Sequence, residues 1–208
     1  MVLQVNERHV IDTIGGVALG SNAASRAGSP ARTVTAAMRA MERCGFVILR
    51  RSRLYRTAAF PAGSGPDFVN AVVVCVGTAM GPRDALAALH EIEAAFGRRR
   101  HRRWAPRALD LDLLWLGDSV LPARAEWQRW RKLAPERQRA EAPDRLILPH
   151  PRIADRPFVL LPLAEAAPDW HHPVTGQTPA DMIRSLPAGA RGGPRAMSLS
   201  LAKRPTRR

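Results

Sequence analysis

Two hydrophobic periods alternate along the chain, and their order predicts its elements. Gly15–Gly20 (GGVALG) reads as a short apolar strand ending in the turn signal Gly20-Ser21-Asn22. From Arg32 to Arg43, Val34, Ala37, Met38 and Met41 recur at helical spacing, and Gly45 follows as a stop. Phe46–Arg56 alternates in part, through Val47, Leu49 and Leu54, and predicts one second strand. Thr57–Pro66 is a Gly/Pro loop, and Phe68–Thr78 (FVNAVVVCVGT) is a β-branched run that predicts a third strand. Pro82–Phe96 is amphipathic through Leu86, Leu89, Ile92 and Phe96, opened by Pro82 and closed by Gly97. Ala108–Leu116 supplies the next strand. The order β-α-β-β-α-β predicts an α+β ferredoxin-like sandwich, a mostly antiparallel sheet with helices packed on it.

Beyond that unit, Pro122–Asp144 turns polar and rich in Arg, Glu, Ala and Trp, and reads as an inserted helical excursion. Leu146–Pro149 re-enters the core, Phe158–Ala167 predicts an apolar helix and Ala180–Leu186 a short one. The expected organisation is a mixed polar extension over 1–14, one domain over 15–186 with an insertion at about 122–145, and a disordered basic tail over 187–208. That tail is expected to be solvated, so that a chain ending at Leu186 keeps its stability.

Composition narrows the class. An apolar fraction of 46% suits a globular protein with a buried core. No apolar run approaches the eighteen or so residues that span a bilayer, and the N-terminus shows no signal-like apolar region, so a cytoplasmic protein without membrane partners is expected. Cys44 and Cys75 lack metal-like spacing and read as small core residues. The net charge of +14 invites a nucleic-acid reading, but its distribution opposes one. Six arginines sit in 98–107 and six bases in 187–208, both without acids, and the excursion over 123–145 carries a further net +3. The basicity therefore belongs to a loop, an insertion and a tail, not to a helix or sheet face. An RNA-binding sheet would also carry clustered aromatics, which Val72–Val76 lacks. No nucleic-acid partner is expected.

Candidate chemistry concentrates in residues 98–116. On a strand, residues two apart share a face, so Asp110 and Asp112 point one way while Leu109, Leu111 and Leu113 point into a core. Two carboxylates on one face repel unless a cation sits between them, and Mg²⁺ takes one or two carboxylates plus substrate phosphates. The arginines just upstream match phosphate oxygens. Either motif alone also fits a solvated face or loop. Together they point to phosphoryl-type transfer. The absence of a G-x-x-x-x-G-K-[ST] loop argues against a P-loop kinase, while another Mg²⁺-dependent phosphotransferase stays open.

The motifs VALGSN (17–22), LYRT (54–57), DFVNAVV (67–73), IEAAFGR (92–98), RWAPRALDLDLL (103–114) and LPHPRIADRPFVLLPLAEAAP (148–168) resemble, in content and order, the 6-hydroxymethyl-7,8-dihydropterin pyrophosphokinases of folate synthesis. The resemblance implies an ATP-dependent diphosphokinase that transfers the β,γ-pyrophosphoryl unit intact to the hydroxymethylpterin, releases AMP and uses two Mg²⁺. It implies that Asp110 and Asp112 bridge the metals and that Arg98 and Arg107 hold the ATP phosphates and stabilise the transferring group. Thr57, Phe60, Phe68, Asn70, Trp104 and Phe158 fall on pterin-side positions, with Phe68 and Phe158 as the aromatic pair around the ring. Glu93, Arg98, Arg100, Arg107, Leu113, His150 and Arg156 fall on nucleotide-side positions. A monomer is expected. Ala105 stands where glycine is common in that family, and the 123–145 insertion is longer than the usual connection and has no assigned role.

Overall fold

The first strand carries glycine where the Trp115 side chain closes on it. In the computed structural model, which describes residues 13–59, 65–77, 80–97, 108–134, 136–137, 141–191 and 193–197, β1 (Thr13–Ser21) lies within the sheet with a strand paired on each side. A Cβ on Gly16 would stand 1.8 Å from the ring of Trp115, so only glycine lets that indole lie flat on the strand. Helix α1 (Pro30–Arg43) starts at a proline in its first turn and buries Val34, Ala37, Met38 and Met41, the periodic set read from sequence.

The run expected to be one strand over 46–56 is two: β2 (Phe46–Arg51) and β3 (Tyr55–Thr57). Ser52 explains the break. Its backbone N–H still donates to Val72 O, but Val72 N–H donates to the Ser52 hydroxyl instead of a carbonyl. The side chain replaces a rung of the ladder, and the strand restarts three residues later in a new register. Both segments pair antiparallel with β4 (Phe68–Gly77), which also pairs antiparallel with β1. Helix α2 (Pro82–Ala95) follows, and then β5 (Asp110–Leu116), which pairs antiparallel with the outer side of β1.

The order β5-β1-β4-β3, with β2 also on β4, is the ferredoxin-like arrangement: each helical crossover skips one strand, and every adjacent pair is antiparallel. One face carries Val17, Leu19, Val73, Leu111 and Leu113 against α1 and α2. The other carries Val72, Val74, Leu114 and Trp115, covered after the excursion by α4 (Pro157–Ala166) and α5 (Pro179–Ser185). Between these comes α3 (Arg124–Arg131), inside the excursion expected at 122–145. Its Trp127 and Trp130 are buried with Ile147 in a third, small cluster.

Three expectations are corrected. Thr13 and Ile14 belong to β1 rather than to a polar extension. Cys75 is buried, its thiol pushed up to about 12 by burial, but Cys44 caps α1 exposed to solvent and is no core residue. The start of the tail is structured: α6 (Ala188–Arg191) leads into β6 (Arg195–Ala196), which pairs with Tyr55 and Arg56 of β3, while Met197 N–H donates to Leu54 O at 2.7 Å. Met197 also packs on the main core. The edge of β3 had unpaired backbone groups to satisfy, and a short strand with one apolar anchor satisfies them. Residues 1–12 and 198–208 lie outside the described residues.

Candidate active site

Register sets the site. Tyr55 of β3 stands opposite Asn70 of β4, Asn70 opposite Gly20 of β1, and Gly20 opposite Asp110 of β5. These four form one row across the sheet, on the face that α4 covers. The next row brings Val72, Ala18 and Asp112 together. The period of two thus puts both aspartates on one face, half-exposed, with Leu111 and Leu113 buried on the other. Glycine at position 20 keeps the row open: a Cβ there would stand 3.1 Å from Asn70 Oδ1.

At the β5 end, Arg156 Nη1 donates to Asp112 Oδ2 at 2.7 Å. Arg156 caps the N-terminus of α4, so the start of that helix is fixed over the aspartates. His150 sits beside this pair. Its backbone N–H donates to Leu114 O at 2.7 Å, which ties the 149–156 turn to β5. Its Nδ1 accepts the Arg152 N–H, so in the neutral ring the proton sits on Nε2. Burial, followed by the positive charge of Arg156, pushes the imidazole down to about 4, and at neutral pH it is an uncharged donor.

At the β3 end, Asn70 Nδ2 donates to Thr57 Oγ1 at 2.7 Å. Tyr55, two residues before Thr57 on the same face, donates its hydroxyl to Glu165 Oε2 of α4 at 2.7 Å. Arg53 adds its backbone and guanidinium N–H groups to the same carboxylate. One carboxylate therefore ties the end of α4 to the strand that carries Thr57. The hydrogen bonds from Tyr55 and Arg53 hold Glu165 below the usual carboxylate range, against the opposing effect of its partial burial. Phe68 flanks Thr57 in the pairing of β3 with β4, and Phe158 is 38% exposed in the first turn of α4. The two rings are not in contact with each other.

A cleft of about 570 Å³ adjoins this face, its lining shared by Asp112, Leu113, His150 and Arg156, by Leu86 and His90 of α2, and by Trp130 and residues 141–147. Among the described residues no group of three or more His, Cys, Asp or Glu side chains is placed to hold a metal. The carboxylates of Asp110 and Asp112 are the hard oxygen donors of the site, a set suited to a cation that arrives with phosphate ligands.

Residues 16–168 match the family described as 7,8-dihydro-6-hydroxymethylpterin-pyrophosphokinase. The chain belongs to this family. Among curated pyrophosphokinases, it is 39% identical over 142 residues to one from Synechocystis sp., a match covering 68% of this chain and 62% of that protein. It is 37% identical over 158 residues to one from Pseudomonas aeruginosa, covering 76% and 82%. A mitochondrial folate synthesis bifunctional protein of Arabidopsis thaliana is 36% identical over 149 residues, 72% of this chain but 22% of that protein. A solved Plasmodium falciparum HPPK-DHPS structure superposes with a TM-score of 0.58 at 16% identity, covering 85% of this chain and 44% of that one. The fold is shared at that distance.

Of the residues expected to serve a pyrophosphokinase site, the fold brings Asp110, Asp112, His150 and Arg156 together at one end of the face and Thr57, Phe68 and Asn70 at the other. Glu93 is placed differently from an open ligand position. It is 1% exposed, and its carboxylate accepts the Leu111 N–H at 2.7 Å, bracing β5 from beneath between the two aspartates. Leu113 is a core side chain whose edge reaches the cleft. Phe60, Arg98, Arg100, Trp104 and Arg107, with Ala105, lie outside the described residues. The Glu165 tie and the role of Gly20 were missed from sequence. A buried-facing Tyr in LYRT and a lone Glu at the end of an apolar helix were the available signals.

Proposed function

We propose that this chain transfers the β,γ-diphosphoryl group of ATP to the hydroxymethyl oxygen of 6-hydroxymethyl-7,8-dihydropterin, in folate synthesis. The bond from the hydroxymethyl oxygen to Pβ forms, the Pα–O–Pβ bridge breaks on the Pβ side, AMP leaves with the bridging oxygen, and the hydroxyl proton is lost. The observation that carries the reading is the single sheet face with a carboxylate pair and Arg156 at one end and the Asn70–Thr57 pair at the other.

The family resemblance supplies the residue roles, and the geometry is consistent with them. Asn70, held by Thr57, offers an amide oxygen to a heterocycle edge beside Phe68, and the resemblance adds Phe158 from the first turn of α4, where its ring centroid stands 5.9 Å from the Arg156 guanidinium. Arg156 and the Nε2–H of His150 take nucleotide oxygens, the first with charge and the second without. Glu93 acts from below by fixing the backbone between Asp110 and Asp112. Arg98, Arg100 and Arg107 serve the phosphates, and Phe60 and Trp104 the pterin side. Asp110 and Asp112 would hold two Mg²⁺ that enter with the triphosphate, and those ions would neutralise charge on the transferring group. The transfer then needs orientation more than a covalent catalyst, which the rigid row across β3, β4, β1 and β5 supplies. The two free thiols suit a cytoplasmic location. A monomer is part of the proposal.

The test is AMP release with ATP, Mg²⁺ and the hydroxymethylpterin. Wild type should release one AMP per pterin diphosphate. Asp112→Asn and Asp110→Ala should fold and lose at least about 100-fold in kcat, because removing a preorganised electrostatic partner costs that much. Turnover near wild type in either folded variant removes the aspartates from the reaction.

A further inference from the structure

The excursion leaves the fold and returns to it at one point. Leu121 N–H donates to Leu148 O and Leu148 N–H to Leu121 O, so the segment between them hangs from a two-bond neck. Inside it, α3 touches the 149–156 turn at both ends. The Trp127 indole N–H donates to Pro149 O at 2.7 Å, one residue before His150. The Arg131 guanidinium lies 2.9 Å from the Asp155 carboxylate, one residue before Arg156. Both Trp127 and Trp130 are buried, and Trp130 lines the same cleft as Asp112, His150 and Arg156.

We infer that α3 is a nucleotide-side clamp and that Trp127 and Arg131 are positioning residues for ATP, acting through the turn that presents His150 and Arg156. The inference rests on the proposed reading of the cleft as the ATP side. A helix that only capped a small core would need its apolar face alone. Here the two polar contacts bracket the turn, each adjacent in sequence to a residue that points into the cleft. The Trp127 N–H satisfies a carbonyl in an otherwise proline-bounded turn, where few backbone donors are at hand. The Arg131 pair is about two-thirds shielded from solvent on both partners, which strengthens it relative to a surface pair. Loosening either contact lets the turn shift, and a displacement of about 1 Å at a positioning group is enough to matter.

The test uses Trp127→Phe, which keeps an aromatic ring and removes the donor, and Arg131→Asp alone and with Asp155→Arg. ATP with Mg²⁺ is titrated calorimetrically without pterin, and KM is measured for both substrates. Trp127→Phe and Arg131→Asp should each weaken ATP binding at least fivefold, with KM for the pterin within twofold of wild type. The double variant should recover most of the Arg131→Asp loss. If both single variants bind ATP within twofold of wild type, or if KM for the pterin rises as much as that for ATP, the clamp is wrong. Should Arg131→Asp fail to fold, Trp127→Phe decides alone. Wild-type protein that binds no ATP overturns the reading of the cleft itself, a result distinct from variants that match an active wild type.

Discussion

At Gly20 the missing side chain matters more than any present one. Its hydrogen faces Asn70 Oδ1, and a methyl group there would have to displace the amide by a few tenths of an ångström. The Asn70–Thr57 hydrogen bond is short and its geometry would suffer. Gly20→Ala should therefore raise KM for the pterin about 2–10-fold, the equivalent of about 0.5–1.5 kcal/mol for one well-made hydrogen bond. KM for ATP should not change: Asp110 stands opposite Gly20 on β5, but the added methyl would have no atom of it within 4 Å, and Asp112, His150 and Arg156 sit one row away or beyond. Steady-state kinetics with each substrate varied separately checks this, and an unchanged pterin KM would show that Asn70 does not meet the substrate. The GSN triplet carries this information only weakly in sequence, where it reads as a turn. Asp110 and Asp112 were legible because a strand's period of two is strict. The engagement of Asp112 with Arg156 was not, since 44 residues separate the partners and no local rule links them.

Among elements, the helices and strands with strong periodicity appear where the pattern puts them, within one or two residues at each end. The misread elements are those whose formation depends on partners distant in sequence. Ser52 splits a strand by hydrogen-bonding across to Val72, and β6 exists because β3 has an open edge. Neither the alternation in 46–56 nor the Gly/Pro/Arg-rich composition of 187–197 encodes such a partner. The expectation that truncation after Leu186 is harmless reverses accordingly. Removing α6 and β6 strips the pairing from Tyr55 and Arg56, the Met197–Leu54 hydrogen bond and the Met197 contact with the core. A loss of about 1–2 kcal/mol follows from one or two hydrogen bonds and part of an apolar side chain. In a domain of this size that corresponds to a melting temperature lower by about 2–8 °C. Calorimetry on the chain ending at Leu186 measures it, and an unchanged midpoint would mean that β6 rests on β3 without stabilising it.

For the whole molecule, the charge of +14 has little bearing on the fold, but one buried base does. His172 is buried between Trp127 and Trp170, near the Arg131 charge, and its Nδ1 accepts N–H groups from Val174 and Thr175. Burial pushes it down to about 4. Folded protein therefore keeps it neutral while the unfolded chain takes up a proton below about pH 6.5. The sign follows: its stabilisation is complete above pH 6.5 and is lost as pH falls toward 4, by at most about 3 kcal/mol. His150 adds a loss of the same sign. Melting temperatures of wild type and His172→Asn, compared from pH 7 to pH 5, should converge as the pH drops. Parallel curves would show that His172 titrates alike in both states.

The neck at Leu121 and Leu148 has a consequence for the lineage of the chain. Two strands of backbone that exit and re-enter side by side behave as a port: whatever is spliced between them changes neither the strand order nor the register of the sheet. Chain length beyond such a port is thermodynamically cheap, since closing a loop twice as long costs only about 0.6 kcal/mol more. A cassette of some two dozen residues could thus be acquired, shortened or exchanged without refounding the domain, and a short turn grafted across the same port is the variant to build and compare.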